Sequence, residues 1–170
     1  MIGSDAQLNA IDMLTTQHQQ MEAAFKAVSK ADSASRPDLF VTAMDMLMSH
    51  VLVEEQLFYP AVNAKRTEDV LLESLEEHLS LKRLVSDLLP LPTDTATFEA
   101  KFRVLVEQAE HHHEEEEEKL FPRVKKLLSG DELEKLGSSM RAAQIRLLTK
   151  EPRALAAEQT DEAASLDTRS

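Results

Sequence analysis

Apolar residues recur along most of this chain at steps of three and four, the spacing that gathers them on one face of an α-helix. The first stripe passes through Leu8, Ile11, Leu14, Met21, Phe25 and Val28 and predicts a helix from about Asp5, a residue type suited to an N-cap, to Lys30. Residues 31–37 read as a loop, with Pro37 suited to a first helical turn. The second helix carries Phe40, Ala43, Leu47, Leu57 and Ala61, and Pro60 is expected to kink or end it. Thr67 opens a third, with Leu71, Leu75, Leu81, Val85 and Leu88, which stops at the LPLPT segment of residues 89–93. The fourth shows Phe98, Phe102, Leu105, Ala109, Leu120, Val124 and Leu127, and Gly130 suits the position just past its end. Asp131 and Glu134 suggest a capping box for a fifth helix that reaches about Thr149. Beyond Pro152 there are no aromatics and few large apolar residues. The expected fold is all-α: an antiparallel up-down four-helix bundle over residues 1–130, an accessory C-terminal helix over 131–150, and an acidic, flexible or loosely helical tail over 151–170.

Polar residues interrupt these stripes at particular places. The seam of the first helix meets His18, that of the second His50 and Glu54, that of the third His78, and that of the fourth His112 and Glu116. All lie near mid-helix, so they should meet at one level of the bundle. A single core histidine is commonly a hydrogen-bonded structural residue, but six polar groups together need another account. Burying isolated carboxylates costs several kcal/mol unless a charge partner is present, on the order of what mutational data give for such groups. No Lys or Arg sits on these seams to neutralise Glu54 and Glu116. Metal ions would, through imidazole nitrogen and carboxylate oxygen. Each His-x-x-x-Glu pair sets a nitrogen and an oxygen donor one turn apart on one face.

An internal repeat points the same way. His18 precedes His78 by 60 residues and His50 precedes His112 by 62, and HVLVEEQLFYP at 50–60 resembles HHEEEEEKLFP at 112–122. Each half thus supplies one single histidine and one His-x-x-x-Glu, as a two-metal centre with approximate twofold symmetry needs. His111, His112 and His113 are consecutive and five glutamates follow, Glu114 to Glu118. The stripe and the distance to Pro122 select His112 and Glu116; His111, His113, most of the acidic run and Glu55 then read as a solvated flank, with tuning of the site or attraction of cations as the alternative.

Composition narrows the chemistry. The chain has 170 residues, 42% of them apolar, with three glycines, one tyrosine and no tryptophan, which disfavours sandwiches and barrels made of many short strands. A net charge of −12 repels phosphate backbones and anionic lipid, so neither nucleic acid nor a membrane is an expected partner. Cysteine is absent, so any metal must be held by nitrogen and oxygen. The N-terminus lacks the basic and apolar regions of a secretory signal, and no apolar run spans a bilayer, so a cytoplasmic location is expected.

Over about residues 8–128 the chain resembles the hemerythrin-like family of HHE cation-binding domains, through TTQHQQM around His18, HVLVEEQLFYP from His50, LEEHLSLKRLV around His78 and HHHEEEEEKLFP from His111. The resemblance implies a four-helix bundle around two iron ions with an oxo or hydroxo bridge, held by His18, His50, Glu54, His78, His112 and Glu116. It also implies dioxygen or peroxide as the small-molecule partner. The family's oxygen carriers have one more histidine, a turn before the residue matching His78, and Ser74 stands there in this chain. The resemblance is therefore to a four-histidine, two-glutamate subgroup with more equivalent irons, in which peroxide chemistry of a catalase or peroxidase kind gains over oxygen carriage. Tyr59, the only tyrosine, is either a helix-end packing residue or a phenol beside the metals that donates a hydrogen bond or an electron. An iron or oxygen sensor that acts by metal-dependent folding, with a redox or signalling protein as partner, is the competing reading. A ferritin-like enzyme fits less well, because only Glu110 and His113 have its Glu-x-x-His spacing.

Overall fold

The first helix begins where a side chain can take up a free N–H group: Asn9 Oδ1 accepts from the Asp12 N–H at 2.9 Å, and α1 runs Ala10–Lys30. Asp5, expected in that role, lies outside residues 8–166, which are those the computed structural model describes. Pro37 sits in the first turn of α2, Arg36–Val53. α3 covers Tyr59–Val62, α4 Glu68–Leu88, and α5 Ala96–Glu115, the last capped by Thr95 Oγ1. α6 is Phe121–Leu127 and α7 Gly130–Leu148.

The chain does not end its helices at Pro60 and Pro122. A widened π-helical turn, Glu54–Phe58, joins α2 to α3, and a second, Glu116–Leu120, joins α5 to α6. Proline offers no N–H, and its ring would strike the carbonyl four residues back. Pairing over five residues relieves that strain: Tyr59 N–H reaches the Glu54 carbonyl, and Phe121 N–H reaches that of Glu116. The kink expected at Pro60 is thus an inserted residue, which turns Tyr59 and Phe121 to the bundle interior beneath the two glutamates.

The four long elements form the expected bundle, with α1 packed on α2 and α4 on α5 across short connections. α7 lies over α1 and α2. Gly137 permits that approach, since a Cβ there would stand 2.7 Å from the Leu8 carbonyl oxygen. The start of α7 differs from expectation: Ser129 is the cap and Glu132 completes the box, so Gly130 opens this helix and does not close the one before.

The tail, expected to be flexible or loosely helical, forms short helical turns along the bundle as far as it is described. α8, Pro152–Leu155, and a 3-10 turn, Ala156–Gln159, bury Pro152 and Ala156 against α2 and α4. The Arg153 backbone and guanidinium both donate to Asp45, at 3.0 and 2.6 Å, and Arg83 donates to the Thr160 carbonyl at 2.9 Å. These contacts supply, from a few anchors, the fixation that its sparse apolar residues did not predict.

Two apolar clusters fill the bundle, one on each side of its middle. One gathers Met21, Phe25, Phe40, Leu47, Leu81, Phe98 and Phe102; the other gathers Leu14, Val53, Phe58, Leu71, Leu120, Phe121 and Met140. On α1, α4 and α5 the histidines fall between the two sets, and on α2 His50 stands among the last residues of the first set, shortly before Val53 of the second. Among the described residues, no helix is long and apolar enough to cross a membrane.

Candidate metal centre

The polar layer between the clusters takes His18 from α1, His50 from α2, His78 from α4, His112 and His113 from α5, and Glu54 and Glu116 from the first positions of the π-helical turns. All seven side chains are 0–6% exposed. The six residues expected from the stripes do come together. Glu54 Oε1 lies 3.1 Å from His50 Nε2 and 3.5 Å from His78 Nε2, and Glu116 Oε1 lies 3.3 Å from both His18 Nε2 and His112 Nε2. Each carboxylate therefore reaches one imidazole from either side of the layer.

The opposite ring nitrogens are all engaged. His18 Nδ1 is 2.7 Å from Glu117, His50 Nδ1 2.8 Å from Gln17 Oε1, and His78 Nδ1 3.0 Å from Glu55, while His112 Nδ1 pairs with Glu77. An Nδ1–H that donates to an oxygen leaves the Nε2 lone pair facing the layer's centre. Gln17 is held in turn by Gln144 of α7, to whose Oε1 it donates at 2.7 Å. The outer helix thus reaches the site through one amide.

Several of the inward atoms have no hydrogen-bond partner: Nε2 of His18, His50 and His113, both oxygens of Glu54, and Glu116 Oε1. Buried groups of this kind are rarely left unpaired, because each costs roughly 1–3 kcal/mol and charged ones more. These unpartnered atoms can all offer lone pairs to a cation, and nitrogen with oxygen donors suits iron and its first-row neighbours. Ligand atoms of His18, His50 and His113 lie within 4.8 Å of one another, as do those of Glu54, His78 and His112.

The same crowding shows in the acidities. Burial pulls His78 down, but Glu54 and Glu55 more than offset it and hold the imidazole at about 9. Burial and the charge of Glu54 raise the Glu116 carboxyl to about 7, whereas Glu54, despite its burial, is kept well below the usual carboxylate range by His50 and its other partners. Burial beside His18 and His50 drives His113 well below an ordinary histidine. Burial near Glu116 and Glu54 raises Tyr59 well above an ordinary phenol.

Two expectations need correcting. His113 does not belong to a solvated flank: it is buried and stacks on His18, with ring centroids 4.0 Å apart, and stands edge-on to His50 at 5.3 Å. Glu55 is buried too, and Lys82, only 1% exposed on α4, donates to its Oε2 at 2.8 Å. The buried faces of these helices are wider than a one-residue stripe. His113 follows Ala109 by four, Glu55 follows Val51 by four and Lys82 follows His78 by four, so each lies on the broad buried face of its helix. His111, Glu114 and Glu118 are exposed.

Tyr59 is more than a helix-end packing residue. Its hydroxyl donates to Glu116 Oε2 at 3.1 Å and lies 3.2 Å from His78 Nε2 and 3.4 Å from His112 Nε2. In the internal repeat Tyr59 corresponds to Phe121, whose ring faces His18 at 6.0 Å, and Val51 corresponds to His113. One half of the layer therefore has three imidazoles and a phenyl ring, and the other has two imidazoles and a phenol. The near-equivalent halves expected from the repeat are not what the fold builds.

Residues 9–124 match the hemerythrin family, as the hemerythrin HHE cation binding domain. A protein of Nostoc sp. (strain PCC 7120 / SAG 25.82 / UTEX 2576) named DNA nickase is 24% identical over 147 residues, which cover 85% of this chain and 42% of that protein. The chain thus spans less than half the length of this relative. The crystal structure of a hemerythrin HHE cation binding domain-containing protein from Mycobacterium kansasii, an Rv2633c homolog, is 26% identical with a TM-score of 0.74, and the likeness covers 94% of this chain and 97% of that one.

Proposed function

We propose, since this chain belongs to the hemerythrin HHE cation-binding family, that it is a non-haem di-iron protein that binds dioxygen or reacts with hydrogen peroxide. His18, His50 and His113 would hold one iron, His78 and His112 the other, and Glu54 and Glu116 would span the two beside an oxo or hydroxo bridge. The observation that carries this reading is the convergence of unpartnered lone pairs from His18, His50, His113, Glu54 and Glu116 in one buried layer. Bound iron supplies the electron exchange with dioxygen or peroxide that these side chains lack.

The protein's own residues set the conditions for that chemistry. The apolar clusters on either side keep bulk water from the layer. Glu55, Glu77, Glu117 and Gln17 fix each ring so that Nε2 faces inward, which removes reorganisation on binding. Tyr59 places a proton on the side with fewer imidazoles, and its raised pKa keeps that proton on the phenol. That side is where peroxide chemistry would run.

The test is metal content together with the absorption spectrum, before and after peroxide. Two irons per chain and a near-ultraviolet charge-transfer band are expected, both lost in His50→Ala and His112→Ala. A protein carrying two irons that neither binds dioxygen nor evolves it from peroxide would overturn the proposal.

A sensor that works through metal-dependent folding is favoured by the same unpaired groups, which destabilise the metal-free bundle. The segment α7, linked to the layer through Gln144 and Gln17, and the tail beyond it would carry the signal to a protein partner. Equal protease resistance of metal-free and iron-loaded protein would remove this reading. Nicking of nucleic acid, which the name of the Nostoc relative raises, has the net charge of −12 against it.

A further inference from the structure

One edge of the buried layer backs onto a surface cleft. A cleft of about 440 Å³ runs between α1 and the C-terminal part of α5, and His18 and His113 lie at its inner wall. Both are buried, and the Nε2 of each lacks a hydrogen-bond partner. The outer wall is exposed and acidic, formed by Glu22, Glu110, Glu114 and Glu117. A basic side chain stands near it, Lys26, which pairs with Glu22 at 2.6 Å. Glu117 reaches inward as well, holding His18 Nδ1 at 2.7 Å. A graded path results: exposed carboxylates outside, one carboxylate bonded to an imidazole, then unpartnered imidazole nitrogens within.

Charge selects what such a path serves. Dioxygen and hydrogen peroxide are neutral and gain nothing from four carboxylates, and small anions are repelled. A hydrated divalent cation is concentrated at the rim and exchanges its water for nitrogen donors as it moves inward. We propose that this cleft is the port through which ferrous iron loads the centre, with Glu22, Glu110, Glu114 and Glu117 as the attracting rim and His113 and His18 as the first imidazoles the ion meets. This rests on the di-iron reading above. It also gives the glutamates after His113 a task that ligation leaves open.

The experiment compares the metal-free parent with Glu110→Gln/Glu114→Gln, two exposed positions that do not touch the histidines' ring nitrogens in the hydrogen-bond network. Ferrous iron is mixed in anaerobically by stopped flow, and arrival is read from quenching of Tyr59, the only fluorescent side chain of its kind in a protein without tryptophan. The variant should load roughly 10-fold more slowly at low ionic strength, within the range electrostatic steering gives. The difference should vanish near ~1 M salt, where screening is nearly complete. Final stoichiometry and spectrum should equal those of the parent. As a control, Asp131→Asn/Glu134→Gln removes the same charge from exposed α7 positions and should leave the rate unchanged. Equal rates and equal salt dependence in parent and port variant overturn the port, as does equal slowing by the control. A lower final stoichiometry in the port variant overturns it too, because those carboxylates would then be ligands. A parent that takes up no iron defeats the di-iron reading itself, and the port falls with it.

Discussion

Lys82→Met is the sharpest test of how the centre is held. Lys82 Nζ is buried and its ammonium donates to Glu55 Oε2 at 2.8 Å; Glu55 in turn accepts from His78 Nδ1 at 3.0 Å. Methionine keeps most of the side chain's volume, so the substitution removes charge with little packing change. Breaking a buried ion pair by deleting one partner costs about 3–5 kcal/mol, because the other charge is left uncompensated. Here the lower end applies, since Glu55 keeps its bond to His78 and is 7% exposed. About 3 kcal/mol corresponds to a fall in Tm of roughly 6–12 °C for a chain of this size. The assay is urea denaturation of metal-free protein followed by helical circular dichroism, so that iron affinity does not enter. The double variant Lys82→Met/Glu55→Gln carries no unpaired charge and should recover most of the loss. Acid provides a second measurement. Burial would raise the Glu55 carboxyl, but His78 and Lys82 hold it below its ordinary value of 4.5. A depressed carboxylate adds stability above its unfolded value and loses it as pH falls through the folded one. The parent should therefore lose this increment only below about pH 4.5, and Lys82→Met should lose less there. Denaturation of Lys82→Met at the parent's urea midpoint, or a double variant as weak as the two single ones summed, would refute the reasoning.

Three further outcomes are expected. His113→Leu removes an unpartnered buried nitrogen, so the metal-free protein should be no less stable, while bound iron should drop from two per chain towards one in elemental analysis; full loading would exclude His113 as a ligand. Tyr59→Phe should keep both irons and lose about 100-fold in peroxide turnover, the scale of a positioned proton donor; unchanged turnover would return Tyr59 to a packing role. Metal loading at pH 7 should release protons, because His78 at about 9 and Glu116 at about 7 must give theirs up to ligate. Titration calorimetry in buffers of different ionisation enthalpy measures that release, and a buffer-independent heat would contradict it.

Much of the fold was legible because the apolar period is strict. Positions such as Leu14, Met21 and Phe25 on α1, or Leu71, Leu75 and Leu81 on α4, leave His18 and His78 no place but the interior. What escaped has physical causes. A seam drawn through single residues passes by His113, Glu55 and Lys82, which lie one position aside on a buried face that is wider than the seam. The π-helical turns have no signature beyond the two prolines, and Pro60 alone reads as an end. The tail is fixed by Arg153 on Asp45 and by Arg83 on backbone carbonyls, contacts between residues far apart in sequence that periodicity does not carry.

The two repeated halves share their ligand motifs and differ where it counts for chemistry. At the position of Val51 the second half has His113; at the position of Phe121 the first half has Tyr59. The π-helical turns make the second exchange effective, because the fifth residue after each glutamate, not the fourth, comes to lie beneath it. Val51 faces the apolar cluster, whereas His113 enters the polar layer and stacks on His18. A third imidazole thus reaches the His18 and His50 side without a histidine at position 74, and the phenolic proton of Tyr59 lies with His78 and His112. Both differences set the two sides of the layer apart in the same direction: His18 and His113 lie against the acidic cleft, and His78 and His112 stand beside a phenolic proton. Two differences within a repeated frame are enough to make the two sides of the layer unlike.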